Sequence, residues 1–251
     1  MKEKKLKIVA ISDTHGMLPE LPECDVVCCA GDISPLEYQN DQTQMLGWFY
    51  LVFLPWVESL PCKKFVMISG NHDFFLQNIH RRLINESNGY RIYTWRSAFD
   101  VMNKLLPGNL RGKYNKLVYL FDSYYEYEGH RFYGTPWIRD LSNWAFYQDN
   151  DTLMEKYKNI PKKCAVIITH MPPKIEGLGE VIQSGCFNTG ENYGSPELAE
   201  VLNTRNFKYA LCGHVHSGQH LPIDLSGKKL VNVSLKNENY EEMYYPFCFE
   251  I

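Results

Sequence analysis

The chain has 251 residues, 45% of them hydrophobic, enough for one sizeable core without requiring a second domain. Its formal net charge of -3 lacks the basic excess of a nucleic-acid binder, and the short lysine runs (KEKKLK at the start, Lys162 and Lys163) read as solvated strand ends. The longest apolar stretch, MLGWFYLVFLPWV, contains Pro55 and falls short of the roughly 20 residues a membrane helix needs.

The opening apolar run, IVAI, is too short for the core of a signal peptide. The eight cysteines (Cys24, Cys28, Cys29, Cys62, Cys164, Cys186, Cys212 and Cys248) form no CxxC pair and no disulfide-like framework. Several sit inside apolar runs, where a reduced cysteine acts as a small hydrophobe. A reducing compartment and a soluble cytoplasmic protein are expected. A peripheral membrane role for the Trp- and Phe-rich stretch is the minority reading.

In chain order, LKIVAISDTHG and DVVCCAGDIS are short apolar runs that end in polar, glycine-containing turns. A helix is expected around Asp41 to Leu60, then the strand-and-turn KFVMISGNHD, then a helix over Phe75 to Glu86. Lys116 to Tyr133 alternates and has a turn at Glu128-Gly129, so it reads as an antiparallel hairpin. A helix over Asp151 to Tyr157 precedes CAVIITHMPP. A helix over Ser195 to Thr204 has Ser195 as N-cap and Pro196 at its first position. YALCGHVHSG and KLVNVS close the series. Val- and Ile-rich runs without alternation suit strands buried on both faces. Strand–helix alternation gives an α/β layered fold, taken as one domain over 1–251.

Ligands of open α/β sheets bind beyond the carboxyl ends of the strands. Those ends carry Asp13 and His15, Asp32, Asn71 and His72, His170, and His214 and His216. Singly, each reads as a turn or a solvated loop residue. Five ends each offering Asp, Asn or His, with no Lys or Ser in that set, point to a shared centre for borderline divalent metals.

The blocks DTH (Asp13 to His15), GD (Gly31-Asp32), GNHD (Gly70 to Asp73), TH (Thr169-His170) and GHVH (Gly213 to His216) together resemble the calcineurin-like metallophosphoesterases. Their order and approximate spacing match from about Lys7 to Ser234. The resemblance implies a four-layer α/β/β/α sandwich, two divalent metal ions and hydrolysis of phosphomonoesters or phosphodiesters. It implies that Asp13, His15 and His216 hold one metal, that Asn71, His170 and His214 hold the other, and that Asp32 bridges them. His72 would face the phosphate as proton donor or stabilising charge, with Asp73 orienting its ring and Gly70 permitting a tight turn. Manganese is the expected metal, with Fe, Zn, Co or Ni as alternatives.

Branches of the family can be separated. GDISPL and GNHD differ from the GDxVDRG and GNHE of the protein phosphatases, and Pro35 occupies the position of the purple acid phosphatases' metal-binding Tyr. YGTPW (Tyr133 to Trp137), THMPP and the closing VNVS resemble the compact cyclic-nucleotide phosphodiesterase-like group, so the substrate would be a small phosphoester such as a nucleotide or cyclic nucleotide. Trp137 and Tyr193 are candidate substrate contacts, with Trp144, Phe146 and Phe187 also near the mouth. The glycine-rich Gly185 to Ser195 loop is either a substrate lip or a connection. The alternative is a non-catalytic metal-binding scaffold on the same fold acting in protein interaction. The complete ligand set and His72 argue against it. A redox or structural metal site built on cysteines ranks last, for want of ligand spacing.

Overall fold

The apolar runs become strands, and alternate residues of each strand serve different layers. The computed structural model describes residues 5–86 and 113–251, with backbone alone over 82–86; residues 2–4 of the opening lysine run lie outside the described residues. One sheet has the order β11 (Phe247–Glu250), β1 (Lys7–Ile11), β2 (Val26–Cys29), β3 (Lys64–Met67) and β4 (Leu117–Tyr119). Of its four pairings, three are parallel and β1–β11 is antiparallel. The other runs β5 (Ser123–Tyr127), β6 (His130–Thr135), β7 (Val166–Thr169), β8 (Tyr209–Cys212), β10 (Lys228–Asn232) and β9 (Ile223–Leu225). Here β6, β7, β8 and β10 are parallel, and the two edge strands are antiparallel.

Ile8, Ala10, Val26, Cys28 and Val66 of the first sheet pack with Phe132, Val166, Ile168, Leu211 and Val231 of the second. Their neighbours Val9, Ile11, Val27, Phe65, Ile167 and Ala210 face the other way, into the cluster that contains the helix residues. That is why the runs lack alternation: both faces are buried, each large aliphatic or aromatic side chain contributing about 1.5–3 kcal/mol. Helices outside two stacked sheets make the four-layer α/β/β/α sandwich.

The first helical run starts at Asp41, whose side chain accepts from the backbone N–H of Thr43 and Gln44. It runs through α1 (Gln42–Trp48), a π-helical turn (Phe49–Phe53) and α2 (Leu54–Ser59). Leu54 N–H bonds back five residues to the Phe49 carbonyl. The wide turn falls just before Pro55, which has no N–H to offer and whose ring crowds the preceding turn. Pro55 therefore modulates the helix rather than ending it. The remaining helices are α3 (Phe74–Glu86), α4 (Asn150–Lys158) and α5 (Pro196–Asn203). Ser195 accepts from Leu198 N–H at the start of the last, as its sequence indicates. Among the described residues no helix is long and apolar enough to cross a membrane. All eight cysteines are free.

One expectation is corrected. Only β5 and β6 form the hairpin, turning at Glu128 (φ 49°) and Gly129 (φ 83°). Leu117–Tyr119 belongs to the first sheet, parallel to β3. The chain changes sheets between Leu120 and Asp122, a step governed by long-range pairing that local alternation does not encode.

His80 on α3 is buried, lies 3.0 Å from the Tyr119 hydroxyl and stacks on Phe121. Burial pushes its pKa down to about 4. Above about pH 6.5 it is neutral folded and unfolded alike, and it adds no pH dependence there. Between about 6.5 and 4 only the unfolded chain takes the proton, so stability falls as pH falls, by about 2 kcal/mol at pH 5. Thermal melts of wild type and His80→Phe at pH 7 and pH 5 check this: the wild type loses more. Parallel losses would show that His80 does not carry the effect.

Candidate metal centre

The polar ends of β1, β2, β3, β7 and β8 meet at one edge of the sandwich, where the two sheets touch through a Ser12–Ser234 bridge. Asp13 (φ 53°), His15 (φ 43°), Asp32 (φ 53°) and His214 (φ 71°) all adopt left-handed backbone. Asp and His tolerate this region better than most residues, and such conformations persist where surrounding structure fixes them. Here Asp13 N–H bonds Gly31 O at 3.0 Å, His15 N–H bonds Asp32 O at 3.0 Å, and His214 N–H bonds the Asp13 carboxylate at 3.1 Å.

Gly70 is needed for close approach, not for a turn of positive φ. A Cβ there would stand 2.2 Å from Asp32 Oδ1 and 2.5 Å from His170 Cε1. Gly213 has the same role beside Asp13, where a Cβ would meet Oδ2 at 2.1 Å.

Two constellations result. In the first, His216 Nε2 lies 3.4 Å from Asp13 Oδ1 and 3.3 Å from His15 Nε2. In the second, Asn71 Oδ1 lies 2.9 Å from His170 Nε2 and 2.7 Å from His214 Nδ1. Asp32 stands between them, with Oδ2 3.3 Å from His170 Nε2. It also converges with His15 and His72, and with Asp13 and His170. His216 Nδ1 donates to Asn237 O and His170 Nδ1 donates to Ala30 O, both at 2.8 Å. Those bonds turn both Nε2 atoms inward, the arrangement that orients a metal-binding imidazole. His15 Nδ1 is buried with no hydrogen-bond partner among the described residues.

The donor set fits divalent metals. Ligands about 2.0–2.1 Å from one ion, at angles between square and tetrahedral, lie about 3 Å apart. The observed separations of 2.7–3.4 Å match. The types also match, being imidazole, carboxylate and amide oxygen.

Burial disfavours charge on His15 and on His214, and the pKa of each is lowered to about 3. For His170 burial also works against the charged form, but Asp32 overrides it and raises the pKa to about 9. Asp32 itself is held well below the usual carboxylate range: burial opposes its charge and is outweighed by His170 and His72. Asp73 is raised to about 7, first by burial and then by the Asp32 charge.

The structure brings Asp13, His15, Asp32, Asn71, His72, His170, His214 and His216 together; Asp73 and Trp137 take other roles. Asp73 does not orient the His72 ring. Its Oδ2 accepts from the N–H of Asp32 (3.0 Å) and Gly70 (2.8 Å), and its Oδ1 accepts from Ser34 N–H and Oγ. It clips the GD turn to the GNHD turn, and the His72 ring nitrogen Nδ1 bonds Gln39 Oε1 instead. Trp137 is 7% exposed, and its indole N–H donates to Asp122, so it packs the core rather than lining the mouth.

The cavity beside the centre, about 190 Å³, is lined by Asp32, Asn71, His72, Leu141, Trp144, His214, His216, Glu238 and Tyr240. Trp144 lies 4.4 Å from the His72 ring, centroid to centroid. Tyr240 (φ 61°) sets its ring edge-on to His15 at 4.9 Å and His216 at 5.1 Å. Gln39, Glu238 and Tyr240 were not singled out by sequence. The signal that points to the last two is Asn237, whose side-chain oxygen accepts from Asn239 and Glu241 N–H and folds the loop over the centre. Tyr193 lines an adjoining cavity that shares Leu141, His214 and Glu238 with the first.

A family model described as calcineurin-like phosphoesterase matches residues 6–218. The human Metallophosphoesterase domain-containing protein 1 is 28% identical over 258 residues, which cover 98% of this chain and 71% of the human protein. The Caenorhabditis elegans UPF0046 protein T07D4.2 is 28% identical over 261 residues, covering 100% of this chain but 61% of the worm protein, so this chain spans less than two thirds of that relative. Among solved structures, Phosphopantetheinyl Hydrolase (PptH) from Mycobacterium tuberculosis aligns with a TM-score of 0.52 at 14% identity, covering 93% of this chain and 90% of that one. At that identity the likeness is one of fold.

Proposed function

The chain belongs to the calcineurin-like phosphoesterase family, and from that premise we propose that it is a two-metal hydrolase of small phosphomonoesters or phosphodiesters. The observation that carries the reading is the pair of constellations sharing Asp32. Asp13, His15 and His216 would hold one ion, and Asn71, His170 and His214 the other. When bound, two such ions supply an activated water and a clamp on the phosphoryl oxygens.

The chain's own residues do the rest. Asp32 is the carboxylate that both sets would share, converging with His15 and with His170. The Ala30 and Asn237 carbonyls fix the tautomers of His170 and His216. His72 lines the cavity beside Asp32 and Asn71; in its doubly protonated form, which burial opposes and the Asp32 charge favours, its ring can give a proton to the leaving oxygen. In the net reaction the water oxygen ends on phosphorus, the P–O ester bond breaks, and the alcohol leaves with a proton. Asp73 acts one step back, holding the backbone that presents Asp32. The ring of Trp144 at the cavity wall supports a substrate with a flat group, such as a nucleotide or cyclic nucleotide.

Chelation is expected to abolish turnover and manganese to restore it, with Co, Ni or Fe as partial substitutes. The histidine-rich shell is not an oxygen cage, so magnesium restores less. Purified protein, reconstituted with each metal and assayed on phosphomonoesters, linear phosphodiesters and cyclic nucleotides, tests this. Turnover that survives complete metal removal would end the hydrolase reading, and equal or better turnover with magnesium would overturn the choice of metal.

A further inference from the structure

Next to the centre lies a second cavity of about 340 Å³. Its floor is apolar: Met171 directly follows His170, Val215 sits between His214 and His216, and Val181 lies beside them, all buried. The residues spaced among the metal-facing histidines therefore shape this chamber. Its wall carries Tyr193 and Asn188 of the Gly185 to Ser195 loop. That loop is pinned back onto the preceding chain by Val181 N–H to Glu191 O, Gly190 N–H to Val181 O and Tyr193 N–H to Gly179 O, at 2.8–2.9 Å. It is a built wall.

The charges are one-sided. Arg139 is the lining guanidinium, and its charge is offset by the carboxylates of Asp140 at 2.7 Å and Glu197 at 3.7 Å. Glu238 lines both cavities. Its Oε1 accepts from Ser217 N–H and Oγ at 2.9 Å, which fixes the carboxylate at the passage between them. An anionic group entering here meets two carboxylates and a guanidinium with no charge to spare. A neutral or cationic group meets apolar floor, a phenol and an amide.

We propose that this cavity receives the alcohol half of the phosphoester and that Glu238 restricts that half to neutral or cationic groups, disfavouring substrates with a second phosphate or a carboxylate. The proposal rests on the hydrolase reading for its catalytic consequence, while the binding preference stands without it. Glu238 and Tyr240 follow the family-matched segment, which ends at residue 218.

The test uses phenyl phosphates bearing a 3-aminomethyl or a 3-carboxymethyl group, in which a methylene insulates the leaving oxygen from the charge. The metal-loaded wild type should prefer the aminomethyl ester in kcat/KM by about tenfold or more, the scale of one misplaced like charge. In Glu238→Gln that ratio should fall severalfold. A ratio unaltered by the substitution, or a preference for the carboxymethyl ester, overturns the proposal. In parallel, binding of 3-(aminomethyl)phenol and 3-(carboxymethyl)phenol is followed by NMR shifts of the Val181 and Val215 methyls. This readout needs no turnover. If neither ester is hydrolysed but the aminomethyl phenol still binds preferentially, the hydrolase reading fails and the cavity assignment stands. Equal binding of both, or no shift, overturns the cavity assignment.

Discussion

Asp32→Asn should strip the centre of metal and lower turnover by about 10³-fold or more, while the protein stays folded. Asp32 is 1% exposed, and its carboxylate converges with His15 of the first constellation and with His170 of the second. Its Oδ1 also accepts from His72 N–H at 2.7 Å, a bond that an asparagine oxygen can keep. The substitution thus preserves shape and one hydrogen bond and removes a single negative charge. Two dications in these constellations would repel each other even at an effective permittivity of about 20, and the charge of this carboxylate would offset both. Loss of metal-assisted charge stabilisation amounts to several kcal/mol at the transition state, and each 1.36 kcal/mol is tenfold. The measurement is metal stoichiometry by elemental analysis, with kcat and a thermal melt on the same sample. A variant that keeps two metals per chain and near-native turnover would remove Asp32 from its bridging role. A variant that fails to melt cooperatively would point to folding instead, and Asp32→Glu, which keeps the charge, then separates the two: it should recover metal if charge is what matters.

The sheets and the polar strand ends that meet at one edge were legible because each run is short, apolar throughout and followed by a polar turn. KIVAI and VIIT are buried almost end to end and read as buried strands without any knowledge of partners. Other features depend on where distant segments meet. Phe247–Glu250 buries one residue in four and has a single partner strand, so it gives little periodic signal. Trp137 and Trp144 look alike in sequence. Asp122 captures the indole of one, and the other is left at the cavity. Asp73 lies next to His72 in the chain, which made it an obvious partner for the ring. The backbone of Ser34, thirty-nine residues away, turned out to be its business. Tyr240 carries no motif at all. Its place is set by Asn237, which accepts from His216 through its carbonyl and folds its own loop through its side chain.

His72→Ala should lose most turnover while keeping its metal, and the loss should depend on the leaving group. His72 adjoins Asn71 in the chain, and its ring stands between Asp32 and the cavity mouth, with Nε2 3.9 Å from Asp32 Oδ2 and Trp144 packed against it. Nδ1 is engaged by Gln39, which fixes the ring and leaves Nε2 for the substrate side. A general acid in this position is worth about 10²–10⁴ in rate. An alkyl phosphoester needs that proton because its alkoxide is a poor leaving group. A nitrophenyl ester departs as a stable anion and needs it less. The expected result is a drop in kcat near the upper end of that range for the alkyl ester and a distinctly smaller one for the aryl ester. Metal content is measured alongside, because His72 also converges with His15 and Asp32 closely enough to share an ion. Metal lost in step with activity would make His72 a ligand rather than a proton donor. Equal slowing of both esters with metal retained would make it a fixed charge on the phosphate. The proton-donor role survives only if metal is retained and the two esters diverge.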